Sequence, residues 1–296
     1  MTDTLNRRDF LKLGGGAMTA AALGTTFTPA AAKPAKKRTI HKAVMYATLS
    51  YKGTVLEKFK ALKAAGFEGV EPMSHMKQDE VLKALEETGL RAASVCCSTH
   101  WNKPLSHPDE GTRRAGVEGV QQALKDAKRY GATSILLVPG RVNKDATYEE
   151  CWKRSIAEIR KLIPLSGELG VKIAIENVWN DFITTPQQAK AYLDEIDSPQ
   201  VGWHFDIGNC IKFSPSETWI PVLGKRILKL HIKEYSKVKG FKVRFFEGDN
   251  NWPAIMKALD EVGYDGWGIS EQPGEQAADA AALKDLSERM DKVFAS

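Results

Sequence analysis

From residue 42 to its C-terminal end the chain alternates short apolar runs with longer amphipathic stretches, and it does so eight times. The short runs, 42–47, 67–71, 91–97, 134–138, 171–176, 200–205, 227–232 and 266–270, are rich in Val, Ile, Leu and Ala and have the length of buried strands. The stretches between them carry helix signals. Thr54-Val55-Leu56-Glu57 and the segment from Thr147 to Glu150 are capping boxes, in which a threonine hydroxyl and a glutamate carboxylate satisfy each other's orphan amides. Thr185-Pro186 and Ser214-Pro215 each set an N-cap residue before a proline at the first helical position, where a missing N–H costs nothing. Gly66 and Gly263 close helices in similar phrases, Ala65-Gly66-Phe67-Glu68-Gly69-Val70 and Val262-Gly263-Tyr264-Asp265-Gly266-Trp267. Parallel strands need a crossover of a dozen or more residues between them, and a helix supplies it. Eight such units, with no Gly-rich phosphate fingerprint after the first strand, favour an α/β fold of the (β/α)8 TIM barrel type, as a single domain, over a doubly wound sheet.

The barrel is assigned to residues 42–296, behind a basic linker over 33–41. Residues 1–32 differ in character. Asn6-Arg7-Arg8-Asp9-Phe10-Leu11-Lys12 precedes a weakly apolar stretch from Leu13 to Phe27, and Ala30-Ala31-Ala32 offers a small-residue cleavage site. Arg7-Arg8 followed by Phe10-Leu11-Lys12 resembles the twin-arginine export signal. That resemblance implies the twin-arginine machinery as a partner, transport of the folded protein and a periplasmic location. The apolar stretch is short and rich in Gly, Ala and Thr, so no stable membrane anchor is expected. The formal net charge of +5 comes from Lys and Arg scattered along the chain, and no nucleic-acid partner is expected. Cys96, Cys97, Cys151 and Cys210 show neither a disulfide framework nor a zinc spacing, and they read as buried thiols.

In barrels of this kind the working side chains stand at the C-terminal ends of strands. Four consecutive predicted strands end in Glu176, Asp206, His231 and Glu271. Three carboxylates brought close together repel one another and raise one another's pKa, a cost that a divalent cation removes. Mixed oxygen and imidazole ligands with open positions suit Mn²⁺, Mg²⁺ or Co²⁺, with Zn²⁺ also compatible. Mn²⁺ leads, because a protein exported folded takes its metal in the cytoplasm.

Around these residues lie Ile175-Glu176-Asn177, Phe205-Asp206-Ile207-Gly208-Asn209, Leu230-His231-Ile232-Lys233-Glu234, and Glu247-Gly248-Asp249 with Trp252. In these motifs, and over the whole chain after the export segment, the sequence resembles the xylose-isomerase-like barrel superfamily in its sugar (phosphate) isomerase and epimerase branch. The resemblance implies an enzyme, a divalent-metal-dependent sugar isomerase or epimerase. It makes Glu176 and Glu271 both ligands and catalytic proton-transfer groups, and Asp206 and His231 ligands only. Removing a proton next to a carbonyl leaves an enediolate, which a metal bridging the two oxygens stabilises. Proton return on the opposite face gives epimerisation, and return to the neighbouring carbon gives aldose–ketose interchange.

Glu71, His100, Asn209 and Lys233 are the candidate substrate-binding residues, and Trp101 and Trp179 are candidates for stacking on a sugar ring. Asn209 stands where the ketose 3-epimerases of the branch carry His. Phe182 and Lys237 stand near positions where they carry Glu and Arg. These departures, together with export, point toward a free sugar, a glycoside or a 3-keto sugar rather than a phosphorylated metabolite. The same site chemistry also fits a metal-dependent lyase or hydrolase on keto-sugar, glycoside or inositol derivatives. Phosphodiester cleavage, known from endonuclease relatives, needs more His ligands than the six in this chain provide. Whether the chain forms a homo-oligomer is left open.

Overall fold

A computed structural model describes residues 38–296, so the expected export signal and most of the expected linker lie outside the described residues. The described chain forms nine parallel strands and nine α-helices. In chain order the strands are β1 (Ile40–Met45), β2 (Gly69–Glu71), β3 (Arg91–Ala92), β4 (Val95–Cys96), β5 (Ser134–Leu137), β6 (Lys172–Glu176), β7 (Val201–Asp206), β8 (Ile227–Ile232) and β9 (Gly266–Ser270). The helices are α1 (Val55–Ala64), α2 (Gln78–Thr88), α3 (Glu110–Tyr130), α4 (Tyr148–Leu169), α5 (Pro186–Ile196), the short α6 (Ile207–Cys210) and α7 (Trp219–Leu223), α8 (Trp252–Val262) and α9 (Ala280–Ala295). The sheet order β3-β2-β1-β9-β8-β7-β6-β5-β4 is that of a nearly closed barrel surrounded by helices.

The count of nine reflects an interruption in one expected strand. The run 91–97 divides at Ala93-Ser94 into β3, which pairs with β2, and β4, which pairs with β5. Pro72 has no amide to donate, so the regular part of β2 stops at Glu71. Single backbone bonds carry the ladder past the break: Cys96 donates to the Pro72 carbonyl at 2.9 Å and Ser74 donates to the Cys96 carbonyl at 2.8 Å.

Both predicted capping boxes are present at Thr54 and Thr147, and Thr185 adds a third with Gln188. Ser214-Pro215 behaves differently from the expectation. Pro215 precedes a 3₁₀ turn at Ser216–Thr218 without a side-chain cap, and the Ser214 hydroxyl instead accepts from the Trp219 indole at 2.8 Å. Burial of Trp219 against the barrel decides the matter over the local signal.

Strand alternation sorts the side chains into two layers. Ile173 and Ile175 of β6, Trp203 and Phe205 of β7, and Leu230 and Ile232 of β8 belong to the large cluster between sheet and helices. Their neighbours Glu176, Asp206 and His231 therefore point to the barrel axis. On β9 it is Ile269 that joins the smaller interior cluster, with Ala43, Met45, Cys96 and Leu136, and Glu271 follows it inward.

Candidate active site

The four strand-end residues converge. One ligand atom from each of Glu176, Asp206, His231 and Glu271 lies within 4.8 Å of all the others. His231 is at the centre. Its Nδ1 stands 2.7 Å from Glu176 Oε1, 3.3 Å from Glu271 Oε2 and 3.9 Å from Asp206 Oδ2. Asp206 doubles as the N-cap of α6, with Oδ1 accepting the Asn209 amide at 2.8 Å. Behind the quartet, Asn177 clamps β6 to β7. Its Oδ1 accepts from the Trp203 indole at 3.0 Å and from the Asp206 amide at 3.1 Å, and its Nδ2 donates to the Asp206 carbonyl at 2.8 Å. The sequence motif contains Asn177, but its structural duty depends on Trp203, which only packing brings near.

The electrostatics are lopsided. Burial raises the Glu176 carboxyl, and His231 offsets this only in part. Burial also raises Asp206 well above the carboxylate range, with Lys233 opposing and Glu271 and Glu176 adding to the rise. For Glu271 burial acts in the same sense, but Lys233 and His231 overcome it and hold the group well below its ordinary value. Burial alone would depress His231, whereas the carboxylates of Glu271, Glu71 and Glu176 drive it well above the usual imidazole range. Four carboxylates thus meet one lysine and one imidazole. Raised acids, an imidazole donor atom among them and ligand atoms at coordination spacing form a donor set that fits a divalent cation.

Lys233 continues the inward face beyond His231. Its Nζ lies 2.7 Å from Glu271 Oε2 and 3.4 Å from both Asp206 Oδ2 and Asn209 Oδ1. Asn209 in turn donates from Nδ2 to Asp206 Oδ2 at 2.8 Å. Both residues line a pocket of about 250 Å³ above the quartet, together with Glu176 and Glu271. Glu271 keeps 20% of its side chain exposed there, whereas Asp206 and His231 are fully buried. His100 also lines the pocket. Its Nδ1 accepts the Val138 amide at 3.3 Å, which leaves Nε2 as the protonated nitrogen, and burial pushes its pKa down to about 4.

Glu71 is placed otherwise than expected. It is completely buried and absent from the pocket wall, with Oε2 3.0 Å from His231 Nε2. Its carboxylate thus meets the His231 imidazole and does not line the pocket. His204 fills the layer beneath, edge-on to His231 at 4.2 Å between ring centroids.

The wall above the quartet is apolar, built from Met45, Leu136, Val178, Trp101, Trp179 and Phe241. Trp101 and Trp179 keep 49% and 37% exposure, respectively. The Trp179 indole donates to the Asn209 carbonyl at 2.9 Å, and Phe241 lies 4.8 Å from its ring. Phe241 also receives Lys233 Nζ 4.6 Å from its ring centroid. No local sequence signal marks Phe241, which sits in the long loop after β8. Buried Glu234 holds that loop by accepting the amides of Phe246 at 2.9 Å and Asn250 at 3.2 Å and the Trp252 indole at 2.7 Å. A Cβ at Gly248 would stand 2.7 Å from Glu234 Cγ, so the glycine of Glu247-Gly248-Asp249 is sterically required.

The sequence pattern of the xylose isomerase-like TIM barrel matches residues 59–293. The chain belongs to that family. Within it, L-ribulose-5-phosphate 3-epimerase UlaE of Escherichia coli O157:H7 is 27% identical over 243 residues, which is 77% of this chain and 85% of the relative. Among solved structures, the 3-keto-D-glucoside 4-epimerase YcjR of E. coli superposes with a TM-score of 0.75 at 17% identity, covering 87% of this chain and all of that one. D-allulose 3-epimerase of Methylomonas sp. gives 0.72 at 16% identity, with 87% and 97% covered. At these identities the two structural likenesses are likenesses of fold.

Proposed function

We propose that the protein is a sugar epimerase that works at the barrel mouth with one divalent metal ion, Mn²⁺ foremost, held by Glu176, Asp206, His231 and Glu271. The observation that carries this reading is the convergence of four acid or imidazole side chains from four successive strands, two of which, Glu176 and Glu271, line one pocket. The sequence relatives that act on ketose phosphates as 3-epimerases support it. A bound ion would supply Lewis-acid polarisation of the sugar carbonyl and so make the adjacent C–H more acidic. Glu176 and Glu271 are the proton-transfer groups, since both line the pocket. With the sugar between them, one carboxylate takes the proton from one face and the other returns a proton to the opposite face. Asp206, locked by Asn209 and Asn177, takes no part in proton movement. Lys233 and Asn209 orient the sugar oxygens, and His100 offers Nε2–H from the opposite wall.

The substrate is read as uncharged. The basic groups lining the pocket are Lys233, already committed to Glu271 and Asp206, and a neutral His100. Neither is free for a phosphate, while exposed indoles suit the apolar face of a pyranose. A free ketose or a 3-keto-glycoside fits this wall. The twin-arginine export read from Arg7-Arg8 and a periplasmic location agree with that choice.

The test is incubation with Mn²⁺ in D₂O over free ketoses, keto-glycosides and ketose phosphates, followed by NMR and mass spectrometry. Deuterium at one carbon next to the carbonyl, with inverted configuration, is the expected result. No exchange on any member of the panel would sink the epimerase reading, and turnover confined to the phosphates would sink the uncharged-substrate reading.

A further inference from the structure

Glu71 is an acidic side chain that is fully buried and unused by the reaction above. It stands on the far side of the His231 ring from the three carboxylates of the quartet: Oε2 is 3.0 Å from Nε2, whereas Glu176 Oε1 is 2.7 Å from Nδ1. A neutral imidazole carries one proton on one of its two nitrogens, and a metal takes the lone pair of the other. A carboxylate at Nε2 draws the proton there and leaves the Nδ1 lone pair facing Glu176, Glu271 and Asp206. His204 packs against the same ring with planes 68° apart, which restricts its rotation.

We propose that Glu71 is a positioning residue: it accepts the His231 Nε2 hydrogen, aims Nδ1 at the quartet, and so tunes metal affinity without touching the sugar. The inference rests on the quartet being a metal site. A metal-ligating histidine whose second nitrogen donates to a carboxylate gains basicity and a set orientation, and loss of that partner costs on the order of 10–100-fold in affinity. Glu71 Oε1 has no hydrogen-bond partner among the described residues and lies 3.9 Å from His204 Nε2. The carboxylate is thus oriented by His231 alone, as a group dedicated to that contact would be. Glu71, His204 and His231 also present three donor atoms within 4.8 Å of one another, so a second ion bound by Glu71 itself is the rival that the experiment must separate.

Wild-type protein, Glu71→Met and Glu71→Gln are stripped of metal, checked for folding by circular dichroism and titrated with Mn²⁺. The Co²⁺ forms are compared by visible absorption. We expect one ion per wild-type chain, a Kd weakened roughly 10–100-fold in Glu71→Met, and a loss below about tenfold in Glu71→Gln, whose amide oxygen still accepts Nε2–H. The Co²⁺ bands of Glu71→Met shift, and at saturating Mn²⁺ its KM for the sugar stays within about twofold of wild type. An unchanged Mn²⁺ Kd in folded Glu71→Met overturns the proposal. So does a raised KM with unchanged metal affinity, which would return Glu71 to substrate binding. Two ions per chain falling to one would make Glu71 a ligand and overturn it equally. Should Glu71→Met not fold, Glu71→Gln decides by the same Kd and by nitrogen NMR of the His231 tautomer. A wild-type chain that binds neither Mn²⁺ nor Co²⁺ would instead remove the metal site itself.

Discussion

The two halves of the barrel differ in what they bring to the mouth. β6 to β9 are five or six residues long, pair in sequence, and each ends in or runs into a quartet side chain. β1 to β5 include the short β2 and the divided β3 and β4, and they contribute wall: Met45, Cys96, His100, Trp101 and Leu136. Ionisable side chains are concentrated where the strands are long and pair continuously, although the β7–β8 register shifts once between Trp203 and His204. Regular strands hold a side chain at their ends with little freedom, which a constellation of several groups requires. Binding surfaces tolerate the irregular backbone of the other half and are adjusted there. Glu71 belongs by sequence to the wall half, but its side chain serves the charged half.

Two histidines, His231 beneath the pocket and His100 in its wall, make the contrast concrete. His231, from β8, is pushed well above the ordinary imidazole range because the carboxylates around it outweigh its burial. His100, which follows β4, is pushed down to about 4 by burial, which the Glu271 carboxylate opposes without overcoming.

The largest effect that would sharpen this contrast comes from the charged half. Glu176→Gln should lower kcat by about 10³-fold or more, since general acid–base groups contribute about 10² to 10⁴. The fold should persist, because the amide is isosteric. Steady-state kinetics with circular dichroism measures both, and retention of more than a tenth of the activity would break the assignment. Next comes His100. Its folded pKa of about 4 lies below the ordinary 6.5, so the unfolded chain binds more protons between those values. The associated stability is complete above pH 6.5 and is lost as pH falls toward 4, by about 3 kcal/mol. Denaturant melts of wild type and His100→Gln across that range should differ in slope, and parallel curves would erase the distinction between the two histidines.

Metal removal follows in size. Chelation should lower stability by about 2.7 kcal/mol relative to protein held at a hundredfold excess of Mn²⁺ over its Kd. A calorimetric Tm that ignores both Mn²⁺ and chelator would count against the quartet as a metal site. The smallest effect lies on the outside of the barrel. Thr147 accepts the Glu150 amide at 3.3 Å at the start of α4, and Thr147→Ala should cost about 1 kcal/mol with no change in kcat. A change in kcat there would show that helix and mouth are coupled.

Much of the fold was legible because its signals are local. Thr54 with Glu57, Thr147 with Glu150, and Thr185 before Pro186 start helices through bonds spanning three residues. The quartet was legible for a related reason. Strand alternation has a period of two, so an acid or imidazole next to an outward apolar residue at a strand end must face the axis. The division of the third strand was not legible, because it depends on Pro72 of a neighbouring strand. The Ser214 cap failed because Trp219 claimed the hydroxyl.

The sequence alone carried the barrel, the four strand-end acid and imidazole groups and the resemblance to a family, since each follows from neighbours in the chain or from periodic patterns along it. Tertiary structure assigned the rest. Glu71 and His231 are 160 residues apart, and nothing in either local segment says that one will sit beneath the other's ring. Phe241 became part of the pocket only once Glu234 had tied down the loop that carries it. Barrel closure brings such distant groups within hydrogen-bond range, and at that range geometry decides whether a buried carboxylate meets a substrate or orients a histidine.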